Sequence, residues 1–190
     1  MPIKRKKHSA TDTRLAAFPN DVVSTSLHVV VETPRGSRNK YAFDRARRAF
    51  TLRKVLPEGM EFPYDFGFIP STIGEDGDPL DILIFLDAPT FPGCVVEVRL
   101  IGVLEGEKTI DGRKISDHRF VGVANESRTH STIQDIEDLN DNLLDEVEKF
   151  FENYAQDPGH DFKVVGRRGS NEAMRFVAAG RKHRKLPEIA

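Results

Sequence analysis

The spacing of apolar residues changes once along the chain, and this change limits the possible fold more than any other feature. Before residue 126 the apolar residues fall in short runs rich in β-branched side chains, which is typical of strands. Strands are predicted at 26–33, 40–44, 48–56, 79–85, 94–105 and 119–126. From 132 to 155 the apolar residues recur at helical intervals, in a stripe that Asn140 and Asp141 divide. Strands followed by helices predict a β-barrel or sheet with helices packed against it.

The ends of the chain differ from its middle. We expect a flexible segment over 1–20, a single folded domain over 21–182 that ends in a helix at 171–182 capped by Ser170, and a basic tail over 183–190. The net charge of −2 gives no nucleic-acid signature, and no basic stripe follows the strands. Neither a secretion signal nor a membrane span is visible, so a cytoplasmic location is expected.

The segment "EDGDPLDILIF" (75–85) concentrates negative charge directly before a predicted buried strand. Asp76, Asp78 and Asp81 repel one another when ionised, and each raises the pKa of its neighbours. Bound divalent cations remove that repulsion, and oxygen ligands favour Mg²⁺, Mn²⁺ or Ca²⁺ over Zn²⁺. The competing interpretation is an ordinary solvated acidic turn.

Two known acidic motifs do not fit this segment. A calcium-binding EF-hand loop beginning at Asp76 requires glycine where Asp81 stands and glutamate where Asp87 stands. An aspartyl-phosphate hydrolase motif follows an apolar strand, whereas here the apolar strand comes after the aspartates. Neither motif therefore explains the pattern.

The order D-G-D-P-L-D followed by an apolar strand resembles the signature of the soluble family I inorganic pyrophosphatases. The resemblance extends over roughly 26–180. The other similar segments are "VVVETP" (29–34), "NKYAFD" (39–44), "FTLRKVL" (50–56), "FPYDFGFIPST" (62–72), "GVLEGEKTIDGRKISDHRFVGV" (102–123) and "FFENY" (150–154). The resemblance implies a five-stranded OB-like barrel flanked by two main helices. It also implies the hydrolysis of pyrophosphate to two phosphates.

The resemblance also implies a metal site. Asp76, Asp81 and Asp117 are expected to bind activating Mg²⁺, with Mn²⁺ or another divalent ion as alternatives. Asp111 is expected to join Asp117 around a metal ion that arrives with the substrate. Asp78 is the candidate general base on the attacking water.

The remaining site residues follow from the same resemblance. Lys40, Arg53 and Tyr154 are expected to hold phosphate oxygens, and Arg119 stands where the family usually has lysine. Glu32 would act through metal-bound waters. A homo-oligomer is implied, with a hexamer favoured over a dimer, and neither a specific nucleic acid nor a membrane is expected as a partner.

Four positions depart from the family pattern. Ala42 replaces a glutamate, Phe62 and Phe66 replace tyrosines, and Ala155 replaces a lysine. The lost cation could be replaced by a basic residue of the following segment, namely Lys163, Arg167 or Arg168. These departures leave two alternatives open: a phosphate-binding pseudoenzyme, or a hydrolase of another phosphoanhydride with the same fold.

Overall fold

The computed structural model of the protein describes residues 26–110, 112–154 and 160–183. The strands are β1 (Ser26–Thr33), β2 (Asn39–Asp44), β3 (Ala49–Val55), β4 (Asp65–Phe68), β5 (Asp81–Phe85), β6 (Val95–Ile110), β7 (Arg113–Ser116), β8 (Arg119–Ala124) and β9 (His160–Gly169). The helices are a short 3-10 helix (Ile136–Asp138), α1 (Asp141–Tyr154) and α2 (Ser170–His183). The expected flexible segment at 1–20 lies outside the described residues, as does the basic tail beyond 183.

Five strands close into a ring. β1, β4, β5, β8 and β6 pair in that order, and β1 also pairs with β6. The pairs are antiparallel except that β5 and β8 run parallel. A closed ring with helices packed against it confirms the predicted OB-like barrel.

The two helices cover different apolar surfaces, and both surfaces follow from the alternation of side chains along the strands. Ile82 and Ile84 of β5 belong to one buried cluster, which includes Val177 of α2. Leu83 and Phe85 point the other way and join a second cluster. That second cluster includes the stripe of α1, formed by Leu144, Val147 and Phe151. In the described part of the chain, neither helix has the length and apolar content needed to span a bilayer.

The helical half of the chain agrees with the sequence except at one cap. The break expected at Asn140 and Asp141 is confirmed, because it separates the 3-10 helix from α1. The predicted cap of the last helix is wrong. Ser170 is the first residue of α2, and its hydroxyl donates to Asp135 Oδ2 at 2.9 Å instead of capping its own helix.

Strand β6 is longer than the sequence indicated, and β8 ends two residues earlier than predicted. β6 was expected to end at residue 105 but continues to Ile110, where it turns back as β7. β9 runs for 10 residues along the other edge of β6. The β6–β7 hairpin is rich in charged side chains. A strand that projects beyond the core does not have to alternate apolar and polar residues, so the pattern from which strands are predicted is missing here.

The β2–β3 hairpin forms a separate two-stranded sheet beside the barrel. Hydrogen bonds between β1 and β2 attach it to the barrel. The backbone N–H of Phe43 donates to Glu32 Oε1 at 2.8 Å, and the Tyr41 N–H donates to the Thr33 hydroxyl at 3.0 Å. The hairpin therefore faces the end of β1, and the site described next lies between this hairpin and the barrel.

Candidate active site

The acidic loop (residues 74–79) connects β4 to β5 through a tight turn. The Gly77 backbone has φ of 87°, a conformation that favours glycine. The Asp78 N–H donates to Asp76 Oδ1 at 3.0 Å, and the Gly74 N–H donates to the Asp78 carbonyl at 2.7 Å. These bonds hold two of the predicted functional carboxylates on one compact turn.

Arg119 connects the other two carboxylates of the cluster. The parallel pairing of β5 with β8 sets Asp81 directly opposite Arg119, and Asp117 lies just before β8. Nη2 of Arg119 donates to Asp117 Oδ2 at 2.8 Å while Nη1 donates to Oδ1, and Nη1 lies 3.1 Å from Asp81 Oδ2. Such a two-pronged guanidinium–carboxylate contact is both strong and directional.

Aromatic rings enclose the Arg119 guanidinium. Its central carbon lies 4.9 Å from the ring centre of Phe162 and 5.6 Å from that of Phe151. The Arg119 side chain is 8% exposed. Loss of hydration disfavours the charged form, but the carboxylates of Asp81 and Asp117 outweigh it and raise the pKa of Arg119.

Lys40 occupies the β2–β3 side of the site. Its ammonium lies 3.6 Å from Glu32 Oε2 and 4.0 Å from the ring centre of Phe66. Burial lowers the pKa of Lys40, although Asp81 and Glu32 act in the opposite direction. Phe66, one of the departures from the family pattern, thus gives Lys40 an aromatic face to lie against.

A cavity of about 680 Å³ brings the predicted site residues together. Every such residue that the structure describes lines it: Glu32, Lys40, Arg53, Asp76, Asp78, Asp81, Asp117, Arg119 and Tyr154. Ala42 and Phe66 line the same cavity. Residues from seven separate segments of sequence therefore share one space, which combines clustered carboxylates with lysine and arginine side chains.

The acidic wall holds more negative charge than its surroundings stabilise. Loss of hydration raises the pKa of Asp81 to about 6, against the opposite effects of Arg119 and Lys40, although 30% of the side chain stays accessible through the cavity. Burial also raises the pKa of Asp76, with Asp117 and Asp78 acting in the same direction. Asp76 lies at the exposed mouth, so water screens this effect more strongly there. A bound cation would relieve both carboxylates.

The donor set suits a hard divalent ion, since it consists of carboxylate oxygens. Among residues 26–110, 112–154 and 160–183, no three acidic, histidine or cysteine side chains stand close enough to hold a metal ion as they are placed. Arg119 accounts for part of the separation between the carboxylates, because its guanidinium binds both Asp81 and Asp117. The carboxylate oxygens have the chemistry of a metal site. The Arg119 guanidinium binds two of the carboxylates that would be ligands of the metal ion.

Two positions of interest lie outside the described residues. Asp111, expected as a metal ligand, stays a prediction, and so does the effect of Ala155. The residues expected to compensate for Ala155 all lie in the described ranges, and Lys163 of β9 does not line the cavity. Arg167 binds acidic residues along α1, including Glu148 at 2.6 Å, and Arg168 lies 3.0 Å from Glu105. Neither arginine lines the cavity.

Three further residues contribute to the site and were missed. Arg45, in the turn of the β2–β3 hairpin, and Lys108, on β6, both line the cavity. Glu75, which was not among the predicted site residues, accepts hydrogen bonds from the Ser116 N–H at 2.9 Å and the Ser116 hydroxyl at 3.1 Å. The basic turn was visible in the sequence. Nothing in the sequence placed Lys108 or Ser116, because their positions depend on the unexpected extension of β6.

A closed barrel whose mouth combines clustered carboxylates with lysine and arginine defines a site for a small anion and hard cations. Comparison with known proteins gives the same class. The family model for inorganic pyrophosphatase matches residues 29–185. The chain therefore belongs to the inorganic pyrophosphatase family, which confirms the resemblance noted in the sequence. Members of this family are hydrolases of a phosphoanhydride and need a divalent metal ion.

Individual relatives support this assignment. The chain is 42% identical to the inorganic pyrophosphatase of Thermus thermophilus over 156 residues, covering 80% of this chain and 87% of the relative. It is 41% identical to that of Synechocystis over 140 residues, covering 74% and 80% of the two chains. The crystal structure of the Thermus thermophilus enzyme superposes with a TM-score of 0.81 at 39% identity, covering 89% of this chain and 97% of that one.

Proposed function

We propose that this chain hydrolyses pyrophosphate to two phosphates in the cavity between the β2–β3 hairpin and the barrel. The observation that carries the proposal is that Lys40 and Arg119 share one cavity of a pyrophosphatase fold with the predicted aspartates, namely Asp76, Asp78, Asp81 and Asp117. Pyrophosphate is small and highly charged, so its hydrolysis requires charge neutralisation more than a large apolar pocket.

The acidic side of the cavity is assigned to metal binding and proton transfer. Asp76, Asp81 and Asp117 would hold Mg²⁺ or another divalent ion, and Glu32 would act through water. Divalent ions bound there supply positive charge to the phosphate oxygens and lower the pKa of an attacking water. Asp78 would accept the proton of that water, because it lies on the same turn as Asp76 and lines the cavity.

The basic side is assigned to the phosphate groups. Lys40, Arg53 and Tyr154 line the cavity from the hairpin and from the end of α1, and Arg119 from the barrel. Positive side chains at several points around the cavity favour a ligand with charge at both ends. Glu32, which fixes both Lys40 and the hairpin backbone, would also orient this wall.

The activity itself is testable with the purified chain. We expect phosphate release from pyrophosphate with Mg²⁺ and with Mn²⁺, and none when EDTA removes the metal. Triphosphate and nucleotides should be poorer substrates. Faster hydrolysis of one of these would favour the alternative of another phosphoanhydride. Phosphate binding without any hydrolysis would favour the pseudoenzyme.

Metal affinity should depend on pH because of Asp81. Its pKa of about 6 in the folded, metal-free protein lies above the ordinary value of 3.8, so the folded state holds the proton more tightly. The free energy of unfolding of the metal-free protein therefore falls as pH rises from about 4 through 6. The affinity for Mn²⁺ rises over the upper part of that range, because the ion binds the deprotonated carboxylate. Calorimetric titration with Mn²⁺ should give about tenfold weaker binding per pH unit below 6. A flat affinity between about pH 5 and pH 7 would contradict this.

The assembly and location of the chain remain proposals as well. A homo-oligomer, with a hexamer favoured over a dimer, is implied by the sequence resemblance, and the cytoplasmic location was expected because neither a secretion signal nor a membrane span is visible in the sequence. The exposed apolar side chains of Leu52, Val55, Phe91 and Val165 are compatible with contacts between copies.

A further inference from the structure

The β6–β7 hairpin brings a lysine to the acidic wall of the cavity. Lys108 of β6 pairs with Ile115 of β7 on one side and with Phe162 of β9 on the other, so its backbone is fixed from both edges. The adjacent pair, Glu107 with Ser116, continues the ladder toward the barrel.

Glu75 anchors this hairpin to the acidic loop. Both oxygens of its carboxylate accept hydrogen bonds from Ser116, at 2.9 and 3.1 Å. Glu75 directly precedes Asp76, and Ser116 directly precedes Asp117. The same contact therefore sets the position of two cavity carboxylates relative to the strand that carries Lys108.

Lys108 is electrostatically coupled to this wall. It lines the cavity, and its positive charge lowers the pKa of Asp76 against the larger effect of burial. Within the described ranges no hydrogen bond or ion pair involves the Lys108 ammonium, whereas Lys114 of the same hairpin lies 2.7 Å from Glu107. The Lys108 charge thus acts on the cavity and is not neutralised by a described neighbour.

We propose that Lys108 is a built-in cation that takes over part of the charge neutralisation otherwise left to divalent ions at Asp76 and Asp117. This inference rests on the proposed function, since it assumes that these carboxylates bind metal. An ammonium on this strand that lines the same cavity repels an incoming divalent ion and at the same time stabilises anionic oxygens in the cavity. The chain should then bind divalent ions on this side more weakly than its acidic residues alone would indicate.

Calorimetric titration of the full chain with Mn²⁺ tests the inference without measuring activity. Lys108→Met keeps the aliphatic stem and removes the charge. We expect it to bind Mn²⁺ about tenfold more tightly at its weakest site, or to take up an additional ion. Lys108→Arg keeps the charge and should resemble the wild type. Lys114→Met, in the same hairpin but 71% exposed and bound to Glu107, is the matched control and should also resemble it.

The outcomes separate this inference from the proposed function. A Lys108→Met isotherm that superimposes on that of the wild type, with Mn²⁺ bound in both, overturns the role of Lys108 and leaves the metal site intact. Absence of Mn²⁺ binding in the wild type overturns the proposed metal site itself. Circular dichroism of each variant verifies the fold. If Lys108→Met is misfolded, Lys108→Gln takes its place under the same criteria.

Discussion

Asp78→Asn is expected to reduce kcat for pyrophosphate by about 10²–10⁴-fold, the usual contribution of a positioned general base. The amide keeps the shape of the side chain but cannot accept a proton from the attacking water. The turn should persist, since the bond that closes it runs from the Asp78 backbone N–H to Asp76. Mn²⁺ affinity should change much less than kcat, and a steady-state assay together with a Mn²⁺ titration measures both.

The control for this variant is Asp161→Asn, which removes an exposed carboxylate on β9 that does not line the cavity. It should retain activity within about twofold, because surface substitutions away from special features have small effects. A variant Asp78→Asn with nearly full kcat would exclude Asp78 as the base. The water would then have to be activated by other cavity residues.

Arg119→Gln is expected to destabilise the metal-free protein by about 3–5 kcal/mol, the cost of leaving buried charges without their partner. Asp81 and Asp117 both lose their guanidinium contact. Saturating Mn²⁺ should recover much of the loss, because the ion neutralises the same carboxylates and stabilises the folded state by mass action. Urea unfolding in EDTA and in Mn²⁺ gives both values.

Two further variants serve as controls for the effect of Arg119→Gln on stability. Arg119→Lys keeps the charge without the two-pronged contact, so its stability should fall between those of the wild type and the glutamine variant. Arg175→Gln removes an arginine that bonds Glu172 at 2.9 Å on the surface, and it should cost less than about 1 kcal/mol. An Arg119→Gln protein as stable in EDTA as the wild type would show that the carboxylates tolerate the loss, and that Arg119 serves substrate alone.

The parts of the fold that sequence predicted are those determined by local periodicity. Strands β4, β5 and β8 of the barrel are buried on both faces and form short, nearly continuous apolar runs, and α1 buries one stripe. Both patterns are visible in the sequence without knowledge of their partners. The acidic loop was recognisable because Asp76, Asp78 and Asp81 are close in sequence. The β6–β7 extension was missed because charged residues fill it and it lies beyond the core.

The contacts within the site depend on pairing between distant strands. Arg119 was expected to bind substrate, and its contact with Asp81 follows from the parallel register of β5 and β8, whereas Asp117 is two residues from Arg119 in the sequence. No local pattern specifies that register. The same holds for Glu75 and Ser116, which are 41 positions apart. Sequence thus identified which residues belong to the cavity, whereas the ion pairs among them required the three-dimensional arrangement.

The projection of β6 past the barrel has a consequence for how such an enzyme diversifies. Substitutions in the outer half of the hairpin do not touch the two apolar clusters, so they are tolerated at little cost to folding. Lys108 nevertheless reaches the cavity from this region. The electrostatic character of the site can therefore drift, or be engineered, through residues of this hairpin other than Ser116, because they lie outside both apolar clusters.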